Sequence, residues 1–259
     1  MPRMNYSGAS AIVTGGASGI GESSARQIAE LGAHVVIADI QDERGELVAS
    51  EIGGTYIHCD VTSEEDVAHV VATASTFGPL RALVNSAGRG GPARVVDRNN
   101  DPMPQATFEL LIRINLLGTF NMLRQAAAAM AKTEAVGPDG ARGAVVNLSS
   151  IAAFDGQTGQ SSYAASKGAI ASMTLPVARD LSAVGVRVNT VAPGLIDTPI
   201  YGSGQRADDM KSHLSESTLF PKRLGTAEEL AYVILECLTN PYLNGEVIRV
   251  DAGTRLPAK

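Results

Sequence analysis

Two polar side chains stand four residues apart in an otherwise small-residue stretch, "SSYAASKGAI": Tyr163 and Lys167. On a helix that spacing puts them one turn apart on one face. A free phenol has a pKa of about 10, so only about one in a thousand is ionised at pH 7, and bringing the pKa to 7 takes about 4 kcal/mol. A cation about 4 Å away supplies a similar amount at an effective dielectric near 20. The pair therefore reads as a general acid/base, Tyr163, with an electrostatic activator, Lys167. Thirteen residues before the tyrosine, Ser150 ends the run "AVVNLSS", where a hydroxyl would meet the oxygen that exchanges a proton with Tyr163. Ser149 competes for that role.

A second constellation lies near the start of the chain. Thr14-Gly15-Gly16-Ala17-Ser18-Gly19-Ile20-Gly21 follows an apolar run and opens a helical pattern. Glycines there let backbone approach a pyrophosphate, and the helix N-terminus offers N–H groups and a positive dipole end. Asp39 lies 20 residues beyond Gly19, at the end of the next apolar run, the spacing expected of a carboxylate that holds an adenosine ribose. A carboxylate accepts from ribose hydroxyls and repels a 2′-phosphate, and the loop 14–21 contains no Arg or Lys, so NAD is expected over NADP. Arg44 is expected to face solvent on the following helix.

These groups need a frame, and the apolar pattern supplies one. Strands are expected at 10–15, 34–39, 55–61, 82–88, 143–150, 186–193 and 246–253, each short and almost continuously apolar, as in a parallel sheet covered on both faces. Helices are expected at 19–31, 42–52, from a Thr62 or Ser63 cap to about Phe77 with Glu65 placed for a capping box, over 105–132, through Tyr163 and Lys167, and at 226–238. Strand–helix alternation without a linker or a shift in composition predicts one α/β domain, a Rossmann-type doubly wound parallel sheet of seven strands. Two stretches, 89–104 and 194–222, lack periodicity. The second carries Gly202, Gly204, Met210, Leu214 and Leu219 and is expected to be a mobile substrate lid.

Composition narrows the function classes. The chain has 259 residues and a formal net charge of −6, which disfavours nucleic acid and anionic membrane surfaces as partners. No apolar run approaches a membrane span, and the first ten residues lack the apolar core of a secretory signal. The two cysteines, Cys59 and Cys237, read as reduced core residues of a cytoplasmic protein, and the four histidines show no metal-ligand spacing.

Taken in order, TGGASGIG, Asp39, Asp60-Val61, NSAG (85–88), Asn115, Ser150, YAASK and Pro193-Gly194 resemble the short-chain dehydrogenase/reductase family over essentially the whole chain. The resemblance implies that Tyr163 is the general acid/base, that Lys167 lowers its pKa and binds the nicotinamide ribose, that Ser150 orients the substrate oxygen, and that Asn115 supports a water relay to Lys167. It implies a cofactor held by Gly15, Ser18, Gly19, Ile20 and Gly21, with Asp60 and Val61 at the adenine. Ser86, Ala87 and Gly88 would run along the ribose, and Pro193, Ile196 and Thr198 at the nicotinamide end. The family's usual NNAG is NSAG here, which keeps the backbone role.

"AAFDGQTGQSSYAASKGAI", "MTLPVARDLSAVGVRVNTVAPGLIDTP" and "YLNGEVIRVDAGTRLP" resemble more narrowly a branch that oxidises 3-hydroxyacyl-CoA to 3-ketoacyl-CoA with NAD. That likeness implies a substrate-facing Gln157. Alternatives are an alcohol, hydroxysteroid or sugar dehydrogenase of the same family, and a cofactor-binding sensor or scaffold without turnover. Apolar residues on more than one face of 105–132, and of the helix after Tyr163, predict burial against symmetry mates, and with the family pattern a homotetramer.

Overall fold

Seven parallel strands form one sheet in the order β3-β2-β1-β4-β5-β6-β7. They are β1 (Ser10–Thr14), β2 (His34–Asp39), β3 (Thr55–His58), β4 (Leu80–Asn85), β5 (Gly143–Leu148), β6 (Val186–Pro193) and β7 (Val247–Val250). The computed structural model describes residues 4–198, 202 and 204–258. Successive strand residues serve opposite faces, as the pleat requires. Ala11, Val13, Val35 and Ile37 meet Ile28 of α1 (Gly19–Glu30), Val48 of α2 (Asp42–Ile52) and Ile234 of α8 (Ala227–Thr239). Ile12, Val36 and Ala38 meet Val67 of α3 (Glu64–Ala74), Met122 of α5 (Thr119–Ala131) and Ala178 of α6 (Ser161–Ser182). Two helical layers thus cover both faces, which is why the strands read as unbroken apolar runs rather than as alternation.

The strand order reverses where β1 lies beside β4. In open α/β sheets, the crevice beyond the carboxyl ends of such neighbours is where ligands bind. The two loops there are stitched together, because Thr14 Oγ1 accepts hydrogen bonds from the backbone N–H of Ser86 and of Ala87, both at 3.1 Å.

Two local expectations are corrected and a third is extended. The helix expected over 105–132 is not uniform: α4 (Gln105–Leu111) gives way to a π-helical stretch, Ile112–Gly118, before α5 resumes. The π stretch carries Asn115, and such turns recur at functional sites. Helix α3 is capped by Ser63, whose Oγ accepts from the N–H of Asp66 at 3.2 Å, so Asp66 and not Glu65 occupies the third helical position. Arg44 is half exposed on α2, as expected, and in addition its Nε donates to the Ala17 carbonyl at 3.1 Å, across the glycine loop. Helix α6 runs on unbroken past Pro176.

Of the expected lid, residues 199–201 and 203 lie outside the described residues. The remainder holds α7 (Gln205–Ser215), with Leu219 beyond its end. The excursion is pinned at its neck, where Gly225 N–H donates to the Leu195 carbonyl and Asp197 N–H donates back to the Gly225 carbonyl.

Candidate active site

A cleft of about 790 Å³ runs along the carboxyl ends of the strands. Its one end is built by the glycine loop. Gly15 has a φ of 64° and sits so close to the β4 loop that a Cβ would stand 2.7 Å from the Ala87 nitrogen. Gly21 supports the loop from behind, where a Cβ would come within 2.1 Å of the Gly15 carbonyl oxygen. Gly15, Ser18, Gly19 and Ile20 line the cleft, and Gly21 does not. Helix α1 has no side-chain cap at Ser18, so its first N–H groups are not claimed from that side. Asp39 is buried at the end of β2, its Oδ2 accepting from Ala17 N–H at 3.0 Å and its Oδ1 from Gln41 N–H at 3.1 Å. Asp60 and Val61 line the next stretch, and Ser86, Ala87 and Gly88 the floor between the sheet halves.

At the other end Ser150, Tyr163 and Lys167 face the same cleft, with Pro193, Ile196 and Thr198 opposite them. The structure separates the two candidate serines. Ser149 Oγ donates to the Lys167 carbonyl at 2.7 Å and is consumed in fixing α6. Ser150 Oγ accepts from Ala152 N–H at 3.1 Å, which leaves its own proton free to donate. Burial holds the Tyr163 pKa above its ordinary value, with the neighbouring Ser150 hydroxyl pulling it partly back.

With Lys167 one helical turn away, burial still keeps the Tyr163 pKa raised. The Lys167 Nζ is buried, donates to the Leu148 carbonyl at 2.8 Å and lies 5.9 Å from the centre of the Tyr163 ring. Burial lowers its own pKa to about 8, so it remains mostly charged at pH 7.

Asn115 is fully buried and does not line the cleft. Its Oδ1 accepts from Arg89 N–H at 2.8 Å, and its Nδ2 donates to the Arg89 carbonyl at 3.0 Å and to Ser166 Oγ at 3.1 Å. Ser166 Oγ in turn donates to the Tyr163 carbonyl at 2.8 Å. Asn115 thus joins the β4 loop to the helix turn that carries the tyrosine. Gln157 is not brought to the cleft, its Oε1 accepting from Gln160 Nε2 at 3.3 Å.

Several participants were not foreseen. The Leu148 carbonyl that holds Lys167, and the Ser166 hydroxyl under Asn115, leave no sequence signal beyond being polar groups next to reactive ones. Arg89 and Arg113 add two cations to the cleft wall. Arg89 directly follows the NSAG run, and that adjacency was the available clue.

The sheet order, the glycine loop at the switch point and the serine–tyrosine–lysine cluster define a dinucleotide-dependent oxidoreductase. Residues 15–255 match the family model described as Enoyl-(Acyl carrier protein) reductase, and the chain belongs to the short-chain dehydrogenase/reductase family, whose members generally use a nicotinamide cofactor. It is 43% identical over 249 residues to the 3-hydroxyacyl-CoA dehydrogenase type-2 of Drosophila melanogaster, covering 95% of this chain and 96% of that one. The human protein of the same name is 40% identical over 252 residues, with 95% of each chain covered. A crystal structure of 3-hydroxyacyl-CoA dehydrogenase type-2 from Mycobacterium avium superposes with a TM-score of 0.92 at 41% identity, over 97% of this chain and 98% of that one.

Proposed function

We propose that the chain is an NAD-dependent dehydrogenase that interconverts a 3-hydroxyacyl-CoA and the corresponding 3-ketoacyl-CoA. The observation that carries the reaction class is the meeting of Ser150, Tyr163 and Lys167 at one end of a cleft whose other end holds Asp39 and the glycine loop. The names of the relatives support the substrate class. The cradle fits a nicotinamide dinucleotide: Asp39 would take the adenosine ribose, the loop 15–20 the pyrophosphate, and Ile196 and Thr198 the nicotinamide end. When bound, the nicotinamide supplies the acceptor or donor of the hydride.

The chain itself handles the proton. Ser150 orients the substrate oxygen with the hydroxyl proton that Ala152 leaves it. Tyr163 Oη accepts the alcohol proton as the phenolate during oxidation and returns it as the phenol during reduction. Lys167 keeps a positive charge, sealed from water, on the side where negative charge grows on these oxygens. Asn115 acts on Tyr163 through Ser166 and is a positioning residue.

The whole chain forms a single catalytic domain, with 194–222 as its lid. The exposed Leu117 and Phe120 of the π stretch and α5, with Leu175 of α6, are the faces on which a homotetramer would close. Among the described residues no helix is long and apolar enough to cross a membrane. Both cysteines are free and buried, in keeping with a reducing, cytoplasmic setting.

The deciding experiment is a steady-state comparison of 3-hydroxyacyl-CoA, hydroxysteroid and simple secondary alcohol substrates with NAD and NADP. The acyl-CoA with NAD is expected to give the highest kcat/KM. A steroid or alcohol that exceeds it overturns the substrate assignment. Loss of less than about tenfold in turnover for Tyr163→Phe overturns the proton-transfer role.

A further inference from the structure

Ala17 is gripped from both sides. Its N–H donates to Asp39 Oδ2 at 3.0 Å, and its carbonyl accepts from Arg44 Nε at 3.1 Å. One residue therefore separates the carboxylate expected to read the adenosine ribose from a guanidinium. Arg44 nevertheless stays out of the cleft lining, because its Nη2 is drawn the other way, to Glu22 Oε2 at 2.7 Å. Glu22, in the first turn of α1, is itself held: its Oε1 accepts from Arg26 Nε at 3.1 Å and Nη2 at 2.8 Å, and Arg26 continues to Glu51 on α2. The Glu22 side chain is largely buried, whereas that of Arg44 is half exposed. The acid is the fixed partner and the guanidinium the movable one.

We infer that Glu22 is a second determinant of cofactor choice, because it anchors Arg44 where it cannot meet a ribose 2′-phosphate. The inference rests on the NAD reading and deepens it. Asp39 repels a 2′-phosphate directly. Glu22 removes the cation best suited to welcome one, since a guanidinium matches phosphate geometry with two parallel N–H bonds and is always charged. The rest of the arrangement agrees: the loop 14–21 offers no Lys or Arg of its own, and Arg44 of α2 already reaches that loop through the Ala17 carbonyl.

The test is calorimetric titration of the full-length protein with NAD and with NADP, in a series built on Asp39→Ser. Adding Glu22→Gln to that background is expected to raise NADP affinity at least about fivefold while NAD affinity moves less than about twofold. Adding Arg44→Met as well is expected to remove the gain. Because neutralising Glu22 also disturbs Arg26, Glu22→Asp serves as a second probe: it keeps the charge but shortens the reach, and it too should favour NADP. No gain from either Glu22 variant overturns the inference. So does a gain that survives Arg44→Met, which would assign it to a general field effect or to another cleft cation such as Arg113. A wild-type preference for NADP overturns the NAD reading itself, and with it this one. A wild-type preference for NAD with an inert Glu22 overturns only the role of Glu22.

Discussion

Replacing Lys167 by Met should trade activity for stability, and the trade can be sized. Burial lowers the Lys167 pKa from 10.5 to about 8. A shift of one pKa unit corresponds to about 1.4 kcal/mol, so keeping this amine charged at pH 7 costs the fold about 3 kcal/mol. Methionine removes that cost but leaves the buried Leu148 carbonyl without its donor, a loss of about 1–3 kcal/mol. At pH 7 the variant should thus equal the wild type in stability or exceed it by up to about 2 kcal/mol, while turnover falls at least about a hundredfold.

The pH dependence is the sharper readout. Between pH 8 and 10.5 the unfolded lysine binds more protons than the folded one, so raising the pH relieves the penalty and stabilises the wild type. The penalty is fully present below pH 8 and gone above 10.5. The difference in unfolding free energy between wild type and Lys167→Met should therefore move by about 3 kcal/mol in favour of the wild type across that window. Other titrating groups cancel in the difference. The chain has no tryptophan, so urea unfolding is best followed by far-UV circular dichroism at pH 7 and pH 10. A difference that stays constant with pH, or a variant destabilised by more than about 2 kcal/mol at pH 7, would show that the buried charge is not costly and refute the reasoning.

Asp39→Ser should narrow a wild-type preference for NAD over NADP of at least about tenfold in kcat/KM, about 1.4 kcal/mol; an unchanged ratio counts against the carboxylate. Light scattering should give a tetramer at micromolar concentration, and Phe120→Asp, which puts a charge on an exposed apolar face, should shift it to smaller species; a wild-type monomer contradicts the assembly. Amide hydrogen exchange across the described part of 204–220 should slow when NAD and a substrate analogue are both present, and equal protection with and without them sinks the lid.

The strands were legible because a sheet covered on both faces forces unbroken apolar runs, and the glycine loop because close backbone approach admits little else. Tyr163 and Lys167 were legible because helix periodicity alone sets them on one face. The π-helical stretch was not: one extra residue turns the following face by about 100°, but 105–132 is apolar on more than one face, so the slip leaves no mark in the pattern around Asn115. The choice between Ser149 and Ser150 needed the fold, since either hydroxyl ends the same strand and only the position of the Lys167 carbonyl decides which is consumed. Arg44 was rightly placed on an exposed helix face, but its anchor was not legible because its partner Glu22 is 22 residues away, on another helix. Gln157 came from resemblance, and its loop position gave no geometric constraint to check it.

The seam between β1 and β4 has a bearing on how long each copy of the chain survives. The two loops held by Thr14 come from segments about seventy residues apart in sequence, so opening the seam exposes the middle of the sheet. A dinucleotide lying across it binds only the closed form. At a free concentration one hundred times its dissociation constant, it deepens the folded well by about 2.7 kcal/mol, about a hundredfold fewer open molecules. Proteases and chaperones sample that open population. The abundance of the enzyme would then follow the nicotinamide supply of its surroundings without any change in its synthesis.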